Sequence, residues 1–156
     1  MSDAALTPFH IKKEFQVVKI LRLQTEPIDY TALTEAVRTR GSGAVVLFLG
    51  TVRDLTGAQR TVALEYEAYA ALAEKEAERL VAQACLRWPL QGVGLIHRLG
   101  RLAVGEVSVA LAVSCPHRAE AFAAGQFLID ELKKSVPIWK RECFADGTAA
   151  WTENRT

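Results

Sequence analysis

Apolar positions recur along this chain with two alternating periods. Val17 to Leu23 is rich in β-branched and apolar residues and predicts a strand. Asp29 stands where a helix N-cap belongs, and Tyr30, Leu33 and Val37 follow at helical spacing. Gly41-Ser42-Gly43 is expected to stop that helix. Ala44 to Leu49 is a continuous apolar run and predicts a buried strand, followed by a loop around Gly57. From Thr61 to Tyr69 the residues alternate, with Val62, Leu64, Tyr66 and Ala68 on one face and Glu65 and Glu67 on the other. A helix is predicted from Ala70 to Trp88, with Leu72, Ala73, Leu80 and Ala84 in its apolar stripe, and Pro89 ends it. Gly92 to Leu99 and Glu106 to Ser114 read as strands joined by a turn over Gly100–Gly105. A third helix is predicted from Pro116 to Ser135, with Phe122, Ile129, Leu132 and Val136 as its core stripe, broken by Pro137. Ile138 to Ala145, Asp146-Gly147 and Thr148 to Trp151 predict a closing hairpin.

Paired strands between three main helices predict an α+β fold with a mixed or antiparallel sheet, rather than a doubly wound parallel one. Residues 15–152 are expected to form a single domain, flanked by a flexible arm over 1–14 and a short tail over 153–156. Half of the 156 residues are apolar, enough for a core. The formal net charge is +1, which argues against a nucleic-acid or membrane-surface partner, so any anion site must come from local clustering. No apolar run approaches the ~20 residues that span a bilayer, and the N-terminus lacks the order of a secretory signal. A cytoplasmic protein is expected. Cys85, Cys115 and Cys143 are odd in number and far apart, and His10, His97 and His117 form no ligand pattern, so neither a disulfide framework nor a metal is expected.

Three clusters carry the candidate chemistry. In Cys115-Pro116-His117-Arg118, Pro116 suits a first helical turn, and His117 and Arg118 then sit where the helix dipole already disfavours cations. A bound anion would account for them, and free backbone N–H groups would add to the attraction. The competing reading is a solvated arginine and a capping histidine. Lys133-Lys134 and Lys140-Arg141 flank Pro137, so the chain must turn or extend between them, and a shared site is not forced by spacing. A basic helix end complementing the dipole explains Lys133 and Lys134 equally well. Arg53 follows the strand in Gly50-Thr51-Val52-Arg53-Asp54, where residues often line sites, although a loop pair with Asp54 would also explain it. His97-Arg98 near a strand end reads as structural or as support behind the site. Gly92-Val93-Gly94 precedes a strand, the wrong context for a phosphate loop.

Taken in order, Gly50-Thr51-Val52-Arg53, Leu64-Glu65-Tyr66-Glu67-Ala68-Tyr69, His97-Arg98-Leu99-Gly100, Gly105-Glu106 and Pro116-His117-Arg118 resemble the catalytic large subunit of molybdopterin synthase. The segment from Ile129 through Val136-Pro137-Ile138-Trp139-Lys140-Arg141-Glu142 is the most distinctive part of that likeness. The resemblance implies an α/β-hammerhead-like fold. It also implies a sulfurtransferase that converts cyclic pyranopterin monophosphate to the molybdopterin dithiolene in molybdenum cofactor biosynthesis. The sulfur would come from the Gly-Gly thiocarboxylate of a small ubiquitin-like carrier subunit, and two large subunits would form the central dimer of a heterotetramer. No cofactor or metal is implied for the transfer. By motif, Lys133 and Lys140 are the catalytic residues, and Thr51, Val52, Arg53, His117, Arg118, Arg141 and Glu142 bind substrate. Crowded cations should depress one lysine, and Lys133 is taken as base or nucleophile, with Lys140 stabilising oxyanions. The reverse assignment stays open. The alternative is a non-catalytic dimeric module that docks a ubiquitin-like tail or an anionic metabolite. Nucleotide or nucleic-acid binding is a third reading, with no motif in its favour.

Overall fold

A computed structural model describes residues 16–152. The expected arm over 1–14 and tail over 153–156, Arg155 included, lie outside the described residues. In chain order the elements are β1 (Val18–Gln24), α1 (Tyr30–Val37), β2 (Ala44–Thr51), β3 (Leu55–Thr56), β4 (Gln59–Ala68), α2 (Ala70–Arg87), β5 (Gly92–Arg98), β6 (Gly100–Ala103), β7 (Val107–Cys115), α3 (Arg118–Ser135), β8 (Ile138–Phe144) and β9 (Ala149–Thr152). The class is α+β, as expected. Two strands, β3 and β6, escaped the sequence reading because each is short and lies in what reads as a turn.

The strands divide into two sheets. One has the order β1-β5-β7-β2, parallel only between β1 and β5. In the other, β4 pairs with β8, which pairs with β9, while β3 and β6 also pair with β4, all antiparallel. The main core lies where α2 and α3 cover the first sheet and meet the second, and includes Leu80, Leu102, Leu111 and Leu132. A smaller cluster of Leu33, Val37, Ile96 and Ala112 seats α1 on the other face of the first sheet. With both faces covered, β7 is buried along nearly its whole length.

Several local expectations are corrected. Asp29 caps α1 through its carboxylate, accepting from Ala32 N at 2.9 Å. The helix nevertheless ends at Val37, before the glycines. The Ser114 hydroxyl donates to the Val37 carbonyl at 2.6 Å, so a tertiary partner takes up a carbonyl that the helix end leaves free. The apolar run of β2 forms an edge strand and is only half-buried, with Leu47 exposed. In β4 the register shifts between Thr61 and Ala63, so Val62 bulges outward while Thr61 turns in. On the helices, Leu72 and Phe122 are exposed rather than core, and Pro116 precedes α3 instead of entering it. Small residues, Ala121, Ala124 and Gly125, form the buried face of the first half of α3, which leaves Phe122 outside.

The glycines of β5 serve packing. A Cβ on Gly92 would lie 2.4 Å from the Val37 carbonyl oxygen, and one on Gly94 would lie 2.4 Å from Leu33 Cδ1. Their lack of a side chain lets α1 sit against the strand. Gly92→Ala is therefore expected to push α1 off the sheet and to lower the unfolding free energy by about 1–3 kcal/mol. Urea denaturation followed by circular dichroism measures this, and a loss below about 0.5 kcal/mol would contradict the close approach.

Candidate active site

A cavity of about 470 Å³ opens between the two sheets beside the last turn of α3. Its wall draws on distant parts of the chain. Phe48, Gly50 and Thr51 come from β2, with Arg53 just beyond it, and Leu64 and Tyr66 come from β4. His97 comes from β5, Ser108 from β7, Lys133 from α3, and Lys140 and Glu142 from β8.

Local geometry aims these side chains. α3 ends at Ser135, Val136 turns extended, and β8 starts at Ile138. Only Val136 and Pro137 separate helix from strand, so Lys133 on the last turn and Lys140 on the strand face the same space. Strand alternation puts Lys140 and Glu142 on one side of β8 and Arg141 on the other. Arg141 pairs there with Glu65 at 2.8 Å, a carboxylate that also holds Arg101 at 2.9 Å. A register shift opposite Gly50 and Thr51 leaves Ser108 as an extra residue in β7, and its hydroxyl donates to the Gly50 carbonyl at 3.2 Å.

The cavity is cationic. Burial lowers the Lys140 pKa; the negative charge of Glu142 opposes this, and the charges of Lys133 and Arg53 lower it further. The Glu142 carboxylate is 5% exposed, and its Oε1 accepts from the hydroxyls of Thr56 and Thr61. Tyr66 is raised, first by burial and less by Glu142, while a hydrogen bond with Ser108 acts the other way. The Tyr66 ring meets the His97 ring edge-on, with centroids 4.9 Å apart. His97 is 4% exposed, and its Nδ1 lies 2.9 Å from the Arg98 carbonyl. Burial pulls its pKa down to about 4, against a weaker raising effect from that carbonyl.

The structure thus brings Thr51, Arg53, Lys133, Lys140 and Glu142 to one cavity. Val52 is buried in the core; its N–H donates to Glu106 O at 3.0 Å and its carbonyl accepts from Gly105 N at 2.8 Å. Arg141 is committed to Glu65. His117 and Arg118 are exposed at the far end of α3. Arg118 lies fifteen residues before Lys133, about 22 Å along the helix axis, so neither reaches this cavity within one protomer. Lys134 pairs with Glu131 at 3.0 Å on the surface. All three cysteines are free, with Cys115 and Cys143 buried. Tyr66, Ser108, Thr56 and the cavity-lining position of His97 were missed by sequence reasoning. For His97, the signal was the His-Arg pair at a strand end.

Convergent cations in a partly enclosed cavity, on an α+β fold of two sheets, make the class of protein one that takes up anionic ligands. The sequence model of the family described as "MoaE protein" matches residues 23–135, and the chain belongs to that family. The chain is 43% identical over 138 residues to molybdopterin synthase catalytic subunit 1 of Aedes aegypti, covering 86% of this chain and 89% of the relative. Its fold matches the crystal structure of molybdopterin synthase from Staphylococcus aureus with a TM-score of 0.79 and 37% identity, over 83% of this chain and 94% of that one. A chain from Helicobacter pylori, solved as a complex of subunits 1 and 2 of molybdopterin-converting factor, shares the fold at a TM-score of 0.71 and 21% identity, over 87% of this chain and 92% of that one. The activity is that of the family: a sulfurtransferase acting on pyranopterin monophosphate in molybdenum cofactor biosynthesis. A purely docking module is set aside.

The buried imidazole makes stability depend on pH. His97 has a lower pKa folded than its ordinary value of 6.5, so its neutral form favours the fold. This contribution is complete above the unfolded value and is lost as pH falls towards about 4. Between about pH 7.5 and about pH 5 the wild type should lose about 2 kcal/mol more stability than His97→Gln. Denaturant titrations of both proteins at the two pH values test this, and parallel losses would refute it.

Proposed function

We propose that this cavity binds the pyranopterin monophosphate and receives the thiocarboxylate tail of a small ubiquitin-like carrier subunit. The observation that carries the reading is the convergence of Arg53, Lys133 and Lys140 on one space. Both reactants are anionic, and a partly desolvated cluster of cations offsets their charge. Arg53, with Thr51 beside it, holds an anionic group. Lys140, the lysine whose positive form is disfavoured, accepts a proton during transfer, while Lys133 stabilises developing negative charge. This reverses the assignment expected from sequence, because the burial falls on Lys140. Glu142, fixed by two threonine hydroxyls, limits how far Lys140 is depressed.

His117 and Arg118 join the site from a second copy of the chain. The support is the open edge of β2. Its first residue, Ala44, pairs with Cys115, immediately before the turn into α3, and its last, Thr51, borders the cavity. Antiparallel pairing of two β2 edges about a twofold axis would set the start of one strand beside the end of the other. His117 and Arg118 of one protomer would then lie near Thr51 and Arg53 of its partner. Exposed Leu47 and Phe122 give that contact apolar surface. The carrier subunit, in a heterotetramer about this dimer, reaches each cavity from outside. The fold shared with the two-subunit Helicobacter pylori complex is consistent with this. Three free cysteines fit a reducing cytoplasm.

Lys133→Ala should lower molybdopterin formation by at least about 100-fold when precursor and thiocarboxylated carrier are supplied. Near-normal turnover would eliminate the role. Mixing Lys133→Ala with Arg118→Ala protomers and allowing exchange should restore roughly a quarter of wild-type activity, because half of the dimers regain one intact site. No recovery, with exchange verified by native mass spectrometry, would rule out a site shared across the dimer.

A further inference from the structure

His97 stands outside the roles assigned so far, yet it forms part of the cavity wall. Its backbone is held on both sides, opposite Leu23 of β1 and Val109 of β7. Its ring is held as well. A carbonyl only accepts, so the 2.9 Å contact with Arg98 O requires the proton on Nδ1. Arg98 is itself anchored, to Thr25 O at 2.9 Å and to Glu106 at 3.2 Å. The edge contact with Tyr66 fixes the remaining tilt.

A neutral ring with Nδ1 protonated carries its lone pair on Nε2. Among the described residues no donor reaches that nitrogen, and it is not among the fully occluded polar atoms without a partner, which are Glu120 Oε2 and Arg141 Nε. Among the described residues, nothing therefore occupies its lone pair. The ring also borders a smaller crevice of about 20 Å³, but that crevice is lined mainly by apolar side chains such as Leu21, Ala77 and Val136. The polar surroundings, Tyr66, Ser108 and Thr51, lie on the cavity side.

The cationic groups of the cavity only donate, and of the two Glu142 carboxylate oxygens Oε1 is taken by two threonine hydroxyls, so acceptors there are few: Glu142 Oε2, the lining hydroxyls and His97 Nε2. A reduced pterin carries ring N–H and amino groups that need acceptors when they leave water. We propose that His97 Nε2 accepts a hydrogen bond from an N–H of the bound pyranopterin, so that His97 contacts the substrate and selects for a ring with a donor at that position. The proposal rests on the cavity being the precursor site.

The test uses ¹⁵N-histidine-labelled wild-type protein titrated with cyclic pyranopterin monophosphate, alongside calorimetry on variants. The Nε2 resonance should move on saturation while Nδ1 stays in place. His97→Phe should weaken precursor binding about tenfold, with His97→Gln recovering part of the loss. Carrier-subunit affinity should not change. If precursor affinity falls in Arg53→Ala while Nε2 does not respond and His97→Phe binds normally, the His97 role fails and the cavity assignment survives. If Arg53→Ala and Lys133→Ala also bind precursor normally, both fail together. Should His97→Phe not fold, the wild-type resonance decides the question.

Discussion

Two ammonium groups repel each other, and the fold holds Lys133 and Lys140 against one cavity because Val136 and Pro137 allow so short a path from α3 to β8. The helix is committed to the first sheet through Ala124, Leu128 and Leu132, and the strand is committed to the second through its ladder with β4. The two backbones cannot separate without giving up one of those contacts. Apolar burial elsewhere therefore sustains the charge cluster, which by itself is unfavourable. Arg53 adds to it from the end of β2, and Glu142 is the counter-charge that keeps it tolerable. The same crowding that opposes the free protein suits a cavity meant to take up anions.

Irregularities in otherwise regular strands aim the other groups. The bulge at Val62 turns Thr61 inward, where its hydroxyl reaches Glu142, and the register shift at Ser108 brings that hydroxyl to Gly50. Each breaks a ladder locally and places a short polar side chain at the seam between the sheets. His97 and Tyr66 meet across the same seam. The site is thus built at the junction of two sheets, where backbone groups are already paired and side chains have little freedom to move.

The outer edge of β2, at one border of the first sheet, has a bearing on function. β2 is as apolar as a central strand but is covered on one edge only, and Leu47 and Phe122 remain exposed. A strand of this composition at an edge calls for a partner. A second copy would supply it and would bring His117 and Arg118 towards the cavity that they cannot reach alone. Dimerisation and completion of the site would then be one event.

Elements that depend on near neighbours were legible in the chain itself. The helices of α2 and α3, the Asp29 cap, the break at Pro137 and the final hairpin all follow from periodicity and from residues with restricted backbones. Thr51, Arg53, Lys133, Lys140 and Glu142 could be named from motif. What the chain alone did not reveal depends on distant residues. Leu47 and Phe122 look like core because an apolar side chain does not record whether its strand is central or at an edge. Arg141 looks like part of the site until strand alternation turns it to Glu65. His97 looks structural until two sheets close around it. Local sequence determines which conformations are cheap; register, bulges and burial, set by contacts tens of residues apart, decide which side chains share a cavity.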